Sequence, residues 1–310
     1  MAKIVISEQM HKEAVESLEQ EFDVIFDASL WKSPNRLAEN LGSADALIVR
    51  NSTQVDSEIL NASPQLRVIG RLGVGLDNID LNMCSERGIT VCPATGANAI
   101  SVAEYVITTA LVLLRGAYFA TDQVIGGTWP RYELIGRELN GKTLGIIGFG
   151  SIGQQVGMLA KAMHLEVITY DPLPPKDDSL AQVVRRVNFD QVISQSDIVT
   201  LHVPLTSETS NLINAATISK MRKGAIFINT SRGGIVDEQA LIDALISGHL
   251  AGAAIDVFKD EPLDGNSGGR FVNAPNLILT PHISGVTEES NARVSFVTAE
   301  NVRRILIDPL

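Results

Sequence analysis

Residues 143–171 read TLGIIGFGSIGQQVGMLAKAMHLEVITYD, and this stretch decides the fold. The apolar run 143–147 predicts a buried parallel strand, and Gly148-x-Gly150-x-x-Gly153 follows at once. Residues 152–163 carry an amphipathic helical pattern, and a second apolar run, 167–170, ends on Asp171. Strand, glycine-rich turn, helix, strand and terminal acid, in that order, form a dinucleotide-binding fingerprint. Gly148 permits the tight turn, Gly150 lets a pyrophosphate approach the backbone, and Gly153 lets helix and strand pack closely. The pyrophosphate would rest on the amides opening the helix. Asp171 can accept hydrogen bonds from both hydroxyls of an adenosine ribose, and its charge repels a 2′-phosphate. The expected cofactor is therefore NAD rather than NADP.

Working outward, further strand patterns recur at 198–203, 225–229, 253–257 and 277–280, with helical patterns between them, such as 238–247 closed by Gly248. The stretch 171–179 holds Pro172, Pro174 and Pro175 and reads as a loop. Before the fingerprint, strands at 3–7, 23–26, 46–49, 67–70 and 90–91 alternate with helices such as 12–20, without a glycine fingerprint. Ser101-x-x-Glu104 reads as a capping box opening a long crossing helix to Arg115. Residues 116–140, with Gly126, Gly127, Trp129 and Pro130, read as an extended arm that could pack on a second subunit. A last helix, 287–307, with Thr287 as its cap and acids in its first turn, is expected to return to the first domain. The expected fold is α/β with two doubly wound parallel-sheet domains. A Rossmann NAD-binding domain, 99–285, is inserted in a flavodoxin-like substrate domain, 1–98 and 286–310. Two chain crossings, near residues 97–101 and 282–287, would make a hinge over a cleft.

The bulk numbers exclude several classes. The chain has 310 residues and a net charge of −11, which argues against a nucleic-acid partner. Its longest apolar runs are too short for a bilayer. The N-terminus enters a strand pattern without a signal-peptide core. Cys84 and Cys92 read as reduced thiols of a cytoplasmic protein, and no spacing suggests a metal site. In so acidic a chain, arginines near one another invite an anionic substrate.

Ligands bind beyond the carboxyl ends of parallel strands. Arg232, Glu261 and His282 follow three successive strands there. A guanidinium offers a planar fork for a carboxylate, an imidazole exchanges protons near neutrality, and a buried carboxylate beside it would raise its pKa. Singly, each could be a cap, a turn residue or a loop histidine; jointly they make a hydride-transfer set. His202 is expected to line the cofactor without catalysing, and His11, His164 and His249 read as surface residues.

These residues bring a family into view. Segments 70–80 (GRLGVGLDNID), 101–106 (SVAEYV), 141–153 (GKTLGIIGFGSIG), 202–205 (HVPL), 229–238 (NTSRGGIVDE), 253–262 (AAIDVFKDEP) and 281–282 (PH) resemble the D-isomer-specific 2-hydroxyacid dehydrogenases over essentially the whole chain. The resemblance implies NAD-linked interconversion of a D-2-hydroxy acid and a 2-keto acid, in a homodimer built through the cofactor domains. It implies Arg232, Glu261 and His282 as the active-site set. NAD contacts are implied from Gly148, Gly150, Ser151, Ile152, Gly153, Asp171, His202, Val203, Pro204, Thr230, Ser231, Arg232, Asp256, His282, Ser284 and Gly285. Val74 and Gly75 are implied to offer amides to the substrate carboxylate. Arg50, Arg71 and Arg131 match positions that handle a distal anion in the phosphoglycerate dehydrogenase branch. The runs 93–98 (PATGAN) and 283–291 (ISGVTEESN) look more like the (S)-sulfolactate dehydrogenase branch. The chain stops at Leu310 without the regulatory domain that many phosphoglycerate enzymes add. The expected substrate is a doubly anionic 2-hydroxy acid, sulfolactate first and 3-phosphoglycerate second. The non-enzyme alternative is an NAD(H)-sensing co-regulator, since a corepressor branch shares these residues.

Overall fold

The computed structural model describes residues 1–173 and 184–307. In chain order the elements are β1 (Lys3–Ile6), α1 (Lys12–Glu19), β2 (Asp23–Phe26), α2 (Pro34–Leu41), β3 (Ala46–Val49), α3 (Ser57–Asn61), β4 (Val68–Arg71), α4 (Leu81–Glu86) and β5 (Thr90–Pro93). There follow α5 (Ala99–Arg115), α6 (Thr121–Ile125), β6 (Thr143–Ile147), α7 (Ser151–Ala162), β7 (Glu166–Tyr170), β8 (Arg185–Arg186), α8 (Phe189–Gln195) and β9 (Ile198–Leu201). The chain continues through α9 (Ala215–Ser219), β10 (Ala225–Asn229), α10 (Glu238–Ile246), β11 (Leu250–Ile255), α11 (Gly265–Gly268), β12 (Leu277–Leu279) and α12 (Glu288–Ile307). They form two units, Met1–Asn98 with Val286–Leu310, and Ala99–Gly285.

The first unit holds a five-stranded sheet in the order β2-β1-β3-β4-β5, parallel throughout. Its strands are short apolar runs because both faces are covered. Successive side chains point to opposite faces, and the packing follows that alternation. Ile4, Ile6, Ala46 and Ile48 pack with residues of α1 and α12. Val5, Leu47 and Val49 pack with Leu37, Leu41, Ile59 and Leu60 of α2 and α3. The last helix packs on this sheet through Val294, Ala299, Val302 and Ile305. Thr287 caps it as expected: Ser290 N donates to Thr287 Oγ1 at 3.1 Å, and Thr287 N donates to Ser290 Oγ at 3.0 Å.

The second unit holds a seven-stranded sheet in the order β12-β11-β10-β9-β6-β7-β8. The same alternation sorts its core. Leu144, Ile146, Ile226 and Ile228 face α5 and α7, while Ile147, Ala225 and Phe227 face α10 and α8. Fully burying a side chain such as Phe227 contributes roughly 1.5–3 kcal/mol. Two boundaries differ from the sequence reading. The helix expected to open at Ser101 begins at Ala99, so Ser101 lies inside the first turn, 5% exposed, and is not its cap. The strand expected at 253–257 spans Leu250–Ile255 and ends before Asp256, whose carboxylate turns to bind loop amides. Of the loop expected at 171–179, residues 174–179, with Pro174 and Pro175, lie outside the described residues.

Candidate active site

The fingerprint folds into a cradle. Gly148 has φ +92°, and a Cβ on it would come 2.4 Å from the carbonyl oxygen of His202. A Cβ on Gly153 would come 2.3 Å from the carbonyl oxygen of Gly148, so strand and helix meet with no room for a side chain. A Cβ on Gly150 would meet nothing within 4 Å, and Gly150 offers no side chain to cap α7. The amides of Ser151, Ile152 and Gly153 donate to no protein acceptor among the described residues, at the positive end of the helix. Asp171 is held at the end of β7: Phe149 N donates to its Oδ2 at 2.7 Å and Leu173 N to its Oδ1 at 2.9 Å. Thr230, at the end of β10, keeps a buried Oγ1 without a partner. An open helix terminus, an anchored acid and an unsatisfied hydroxyl at one sheet edge fit a dinucleotide.

Not every residue expected at the cofactor presents its side chain freely. Ser231 Oγ donates to the carbonyl of Leu201 at 2.6 Å and its amide donates to Asn229 Oδ1, so it shapes the loop. Asp256 is fully buried and receives Ile283 N, Ser284 N and Thr280 Oγ1. His202 meets Thr200 Oγ1 at 3.1 Å through Nε2, and desolvation pushes its pKa down to about 3. That burial favours the neutral imidazole. Val203 and Pro204 follow it at the strand end. Arg186 escaped the sequence reading. Its Nη2 donates to the carbonyls of Asp171 and Leu173 at 2.9 and 2.6 Å, bringing an exposed cation beside the ribose acid. It sits on a two-residue strand, too short to announce itself by pattern.

The three catalytic candidates come together in the second unit. His282 Nδ1 lies 2.7 Å from Glu261 Oε2. A carboxylate only accepts, so Nδ1 carries the proton and Nε2 is the nitrogen left for a substrate. His282 has φ +52°, a left-handed conformation uncommon for residues other than glycine. Its amide holds it there, donating to the carbonyls of Asp256 at 2.8 Å and Thr280 at 3.0 Å. Asp256 also receives Thr280 Oγ1 at 2.6 Å, and Thr280 Oγ1 is 2.6 Å from Tyr105 Oη, so α5 braces the histidine loop.

Glu261 was expected to be buried, but its side chain is 34% exposed. Partial burial raises its pKa, yet the hydrogen bond from His282, the amide of Phe258 and the charge of Arg232 together hold it below the usual carboxylate range. Arg232 leaves β10 in extended conformation, its carbonyl accepting Asn229 Nδ2 at 3.0 Å and its Nη1 donating to the carbonyl of Ser231 at 2.6 Å. The next residue must be glycine: a Cβ on Gly233 would fall 1.8 Å from the carbonyl carbon of Phe258. That approach brings the Arg232 loop against the segment leading to Glu261. Buried Glu238 pins the segment from the other side, accepting Lys259 N at 2.9 Å and pairing with Arg270 at 2.6 Å.

In the first unit, Arg50 follows β3 and Arg71 ends β4. Arg50 is half-buried and donates from Nη2 to Asn291 Oδ1 at 2.8 Å. Arg71 Nη1 donates to the carbonyl of Leu72 at 2.7 Å. Val74 and Gly75 are partly exposed, and neither amide donates to a protein acceptor among the described residues. Arg131 stands in the arm of the second unit, exposed beside Trp129. His11 was expected at the surface, yet it lines a pocket with Arg50 and keeps a buried Nδ1 without a partner. His164 is a turn residue with φ +61°, and His249 Nε2 meets the carbonyl of Ile218 at 2.9 Å.

A parallel-sheet unit with this fingerprint, and Arg, Glu and His at successive strand ends, defines a nicotinamide-dependent dehydrogenase. Residues 107–284 match the model of the D-isomer specific 2-hydroxyacid dehydrogenase, NAD binding domain. The chain is 47% identical over 307 residues to an (S)-sulfolactate dehydrogenase of Chromohalobacter salexigens, covering 99% of each. It is 39% identical to a D-3-phosphoglycerate dehydrogenase of Methanocaldococcus jannaschii, covering 99% of this chain but spanning 58% of that relative. The fold matches D-lactate dehydrogenase from Aquifex aeolicus, complexed with NAD and lactic acid, with a TM-score of 0.85 at 29% identity over 98% of this chain and 95% of that one. The chain belongs to the D-isomer-specific 2-hydroxyacid dehydrogenases, and NAD is its cofactor. It is an enzyme, which removes the co-regulator alternative. Among the described residues no helix is long and apolar enough to cross a membrane.

Proposed function

We propose that the enzyme interconverts (S)-3-sulfolactate and 3-sulfopyruvate. The observation that carries the chemistry is the His282 Nδ1–Glu261 Oε2 contact of 2.7 Å, with Arg232 interacting electrostatically with the same carboxylate. NAD, when bound, supplies the acceptor for the hydride leaving C2. In oxidation the substrate hydroxyl gives its proton to Nε2 of His282, and Glu261 stabilises the imidazolium that forms. In reduction that proton returns to the oxygen at C2. Arg232 is assigned the planar fork that holds the carboxylate and polarises the carbonyl. The amides of Val74 and Gly75 are further carboxylate partners in this reading, supported by their lack of protein acceptors.

The Chromohalobacter relative supports the substrate, together with Arg50 in a pocket beside His11 and Asn291. (S)-Sulfolactate has the spatial arrangement of D-lactate, because sulfur reverses the priority order, so it suits a D-specific site. The second reading is 3-phosphoglycerate, supported by the Methanocaldococcus relative. A panel of sulfolactate, 3-phosphoglycerate and lactate, assayed for NADH formation, tests the assignment. Highest kcat/KM on sulfolactate is expected; highest kcat/KM on 3-phosphoglycerate would replace it.

The enzyme works as a homodimer in this reading. Ile125, Trp129, Tyr132 and Ile135 are each 76% exposed or more along one arm, a large apolar surface for a lone subunit. Cys84 and Cys92 are free, which accords with the cytoplasm as its location.

A further inference from the structure

Helix α5 packs on the seven-stranded sheet through Val102, Val106 and Ala110, and Ile278 of β12 packs against the same cluster. Tyr105 stands three positions after Val102 and borders that face, half-buried. A tyrosine so placed keeps an apolar body and needs a partner for its hydroxyl. Its Oη lies 2.6 Å from Oγ1 of Thr280, the residue that follows β12.

Counting hydrogens fixes the direction of this contact. Asp256, fully buried, follows β11. Its carboxylate accepts and has no hydrogen to give. Thr280 therefore donates its one hydroxyl hydrogen to Asp256 Oδ1, at 2.6 Å. The bond between Tyr105 and Thr280 is then a donation from the phenol. Burial raises the pKa of Tyr105, the bond to Thr280 lowers it and the charge of Asp256 raises it; the net shift is upward, so the phenol keeps its proton. Donation runs one way, from Tyr105 to Thr280 to Asp256.

The turn that carries His282 hangs on the same aspartate. Ile283 N donates to Asp256 Oδ1 and Ser284 N to Oδ2, each at 2.8 Å. The amide of His282 donates to the Asp256 carbonyl at 2.8 Å and to the Thr280 carbonyl at 3.0 Å. His282 keeps its left-handed φ of +52° because these bonds over-determine it. Oδ1 of Asp256 is the shared point, receiving both the Thr280 hydroxyl and the amide next to the histidine.

We propose that Tyr105 is a positioning residue of the reaction: by donating to Thr280 it fixes the Asp256 carboxylate, and through it the turn that aims Nε2 of His282. The proposal rests on the His282 mechanism read above and adds to it a residue that acts through Thr280. Proton transfer depends on where the imidazole points, whereas the cofactor cradle is built from β6, α7 and β7. The effect of Tyr105 therefore falls on kcat.

The test is a double-mutant cycle of Tyr105→Phe and Thr280→Val, with His282→Ala beside it. NADH formation from sulfolactate, 3-phosphoglycerate and lactate is measured in H2O and D2O, and thermal unfolding reports the fold of each variant. Tyr105→Phe removes one hydroxyl and keeps the ring. On the best of the three substrates it should lower kcat about tenfold, the upper scale of one neutral hydrogen bond. KM for NAD should stay near the wild-type value, and the solvent isotope effect on kcat should rise as proton transfer slows. Adding Tyr105→Phe to Thr280→Val should lower kcat no further, because the phenol acts through that hydroxyl. A phenol that only supports the fold would lower the unfolding temperature and leave kcat and the isotope effect as in the wild type. That result, or losses that multiply in the double variant, with His282→Ala inactive, would overturn this assignment alone. The kcat of Tyr105→Phe decides even where Thr280→Val fails to fold. Near-normal turnover in His282→Ala, or a wild type inert on all three acids, would overturn the mechanism and this assignment with it.

Discussion

In the proposed mechanism His282 acts through Nε2, because Nδ1 is engaged by Glu261. A positioned acid–base group contributes ~10²–10⁴-fold to rate. His282→Ala should therefore lose about that much in kcat while NADH still binds; near-normal turnover would remove the histidine from the mechanism. At the same scale, Asp171 is proposed to select the cofactor. A carboxylate with both oxygens fixed by amides cannot swing away from a 2′-phosphate. The wild type should strongly prefer NAD over NADP. Arg186 bears on Asp171→Ala: removing the acid leaves a guanidinium whose Nη2 already reaches the carbonyl of residue 171. That variant should gain NADP-linked kcat/KM by about tenfold or more, the scale of a charge-assisted hydrogen bond. Adding Arg186→Ala should cancel the gain; a gain that survives would place the 2′-phosphate elsewhere.

At the scale of elements, tight approaches fix the site. A methyl group at Gly233 would overlap the backbone of Phe258, so Gly233→Ala must part the Arg232 loop from the Glu261 segment. Overpacking of this kind costs typically ~1–3 kcal/mol, and turnover should fall further than thermal stability does, because Arg232 and Glu261 separate. Equal wild-type turnover would show that the approach is not needed. In the first unit Glu8 ties β1 to the loop after β3. Leaving its buried amide partners with a weaker acceptor costs ~1–3 kcal/mol, so Glu8→Gln should unfold at lower denaturant than the wild type near neutral pH. The sign with pH follows from the lowered folded-state pKa. The stabilisation by Glu8 is complete above the ordinary value of 4.5 and is lost as pH falls through the lower folded value, so the gap to Glu8→Gln should narrow in acid. Much of this architecture was legible in the sequence. Apolar runs located the strands, and the glycine spacing with Asp171 located the cofactor cradle. Arg232, Glu261 and His282 were legible because each follows a strand end. Arg186 was not, since its strand is two residues long, nor was the exposure of Glu261, which depends on how its loop turns after β11. The pocket role of His11 was hidden as well, because the residues that enclose it arrive from the far end of the chain, in α12.

At the scale of the whole molecule, the exposed arm predicts association. Sedimentation should give a dimer, and Trp129→Glu with Ile135→Glu should shift it toward monomer; a wild-type monomer at assay concentration would contradict the assignment of the arm. Charge sets the remaining problem. With a net charge of −11, the average field repels a doubly anionic substrate, so binding depends on local cations and should weaken as salt screens them. The most direct test is the rate of NADH formation from enantiopure sulfolactate with NAD. The account predicts turnover of the S enantiomer, none of the R, and loss of that turnover in His282→Ala. Oxidation of the R enantiomer, or undiminished activity in His282→Ala, would contradict it.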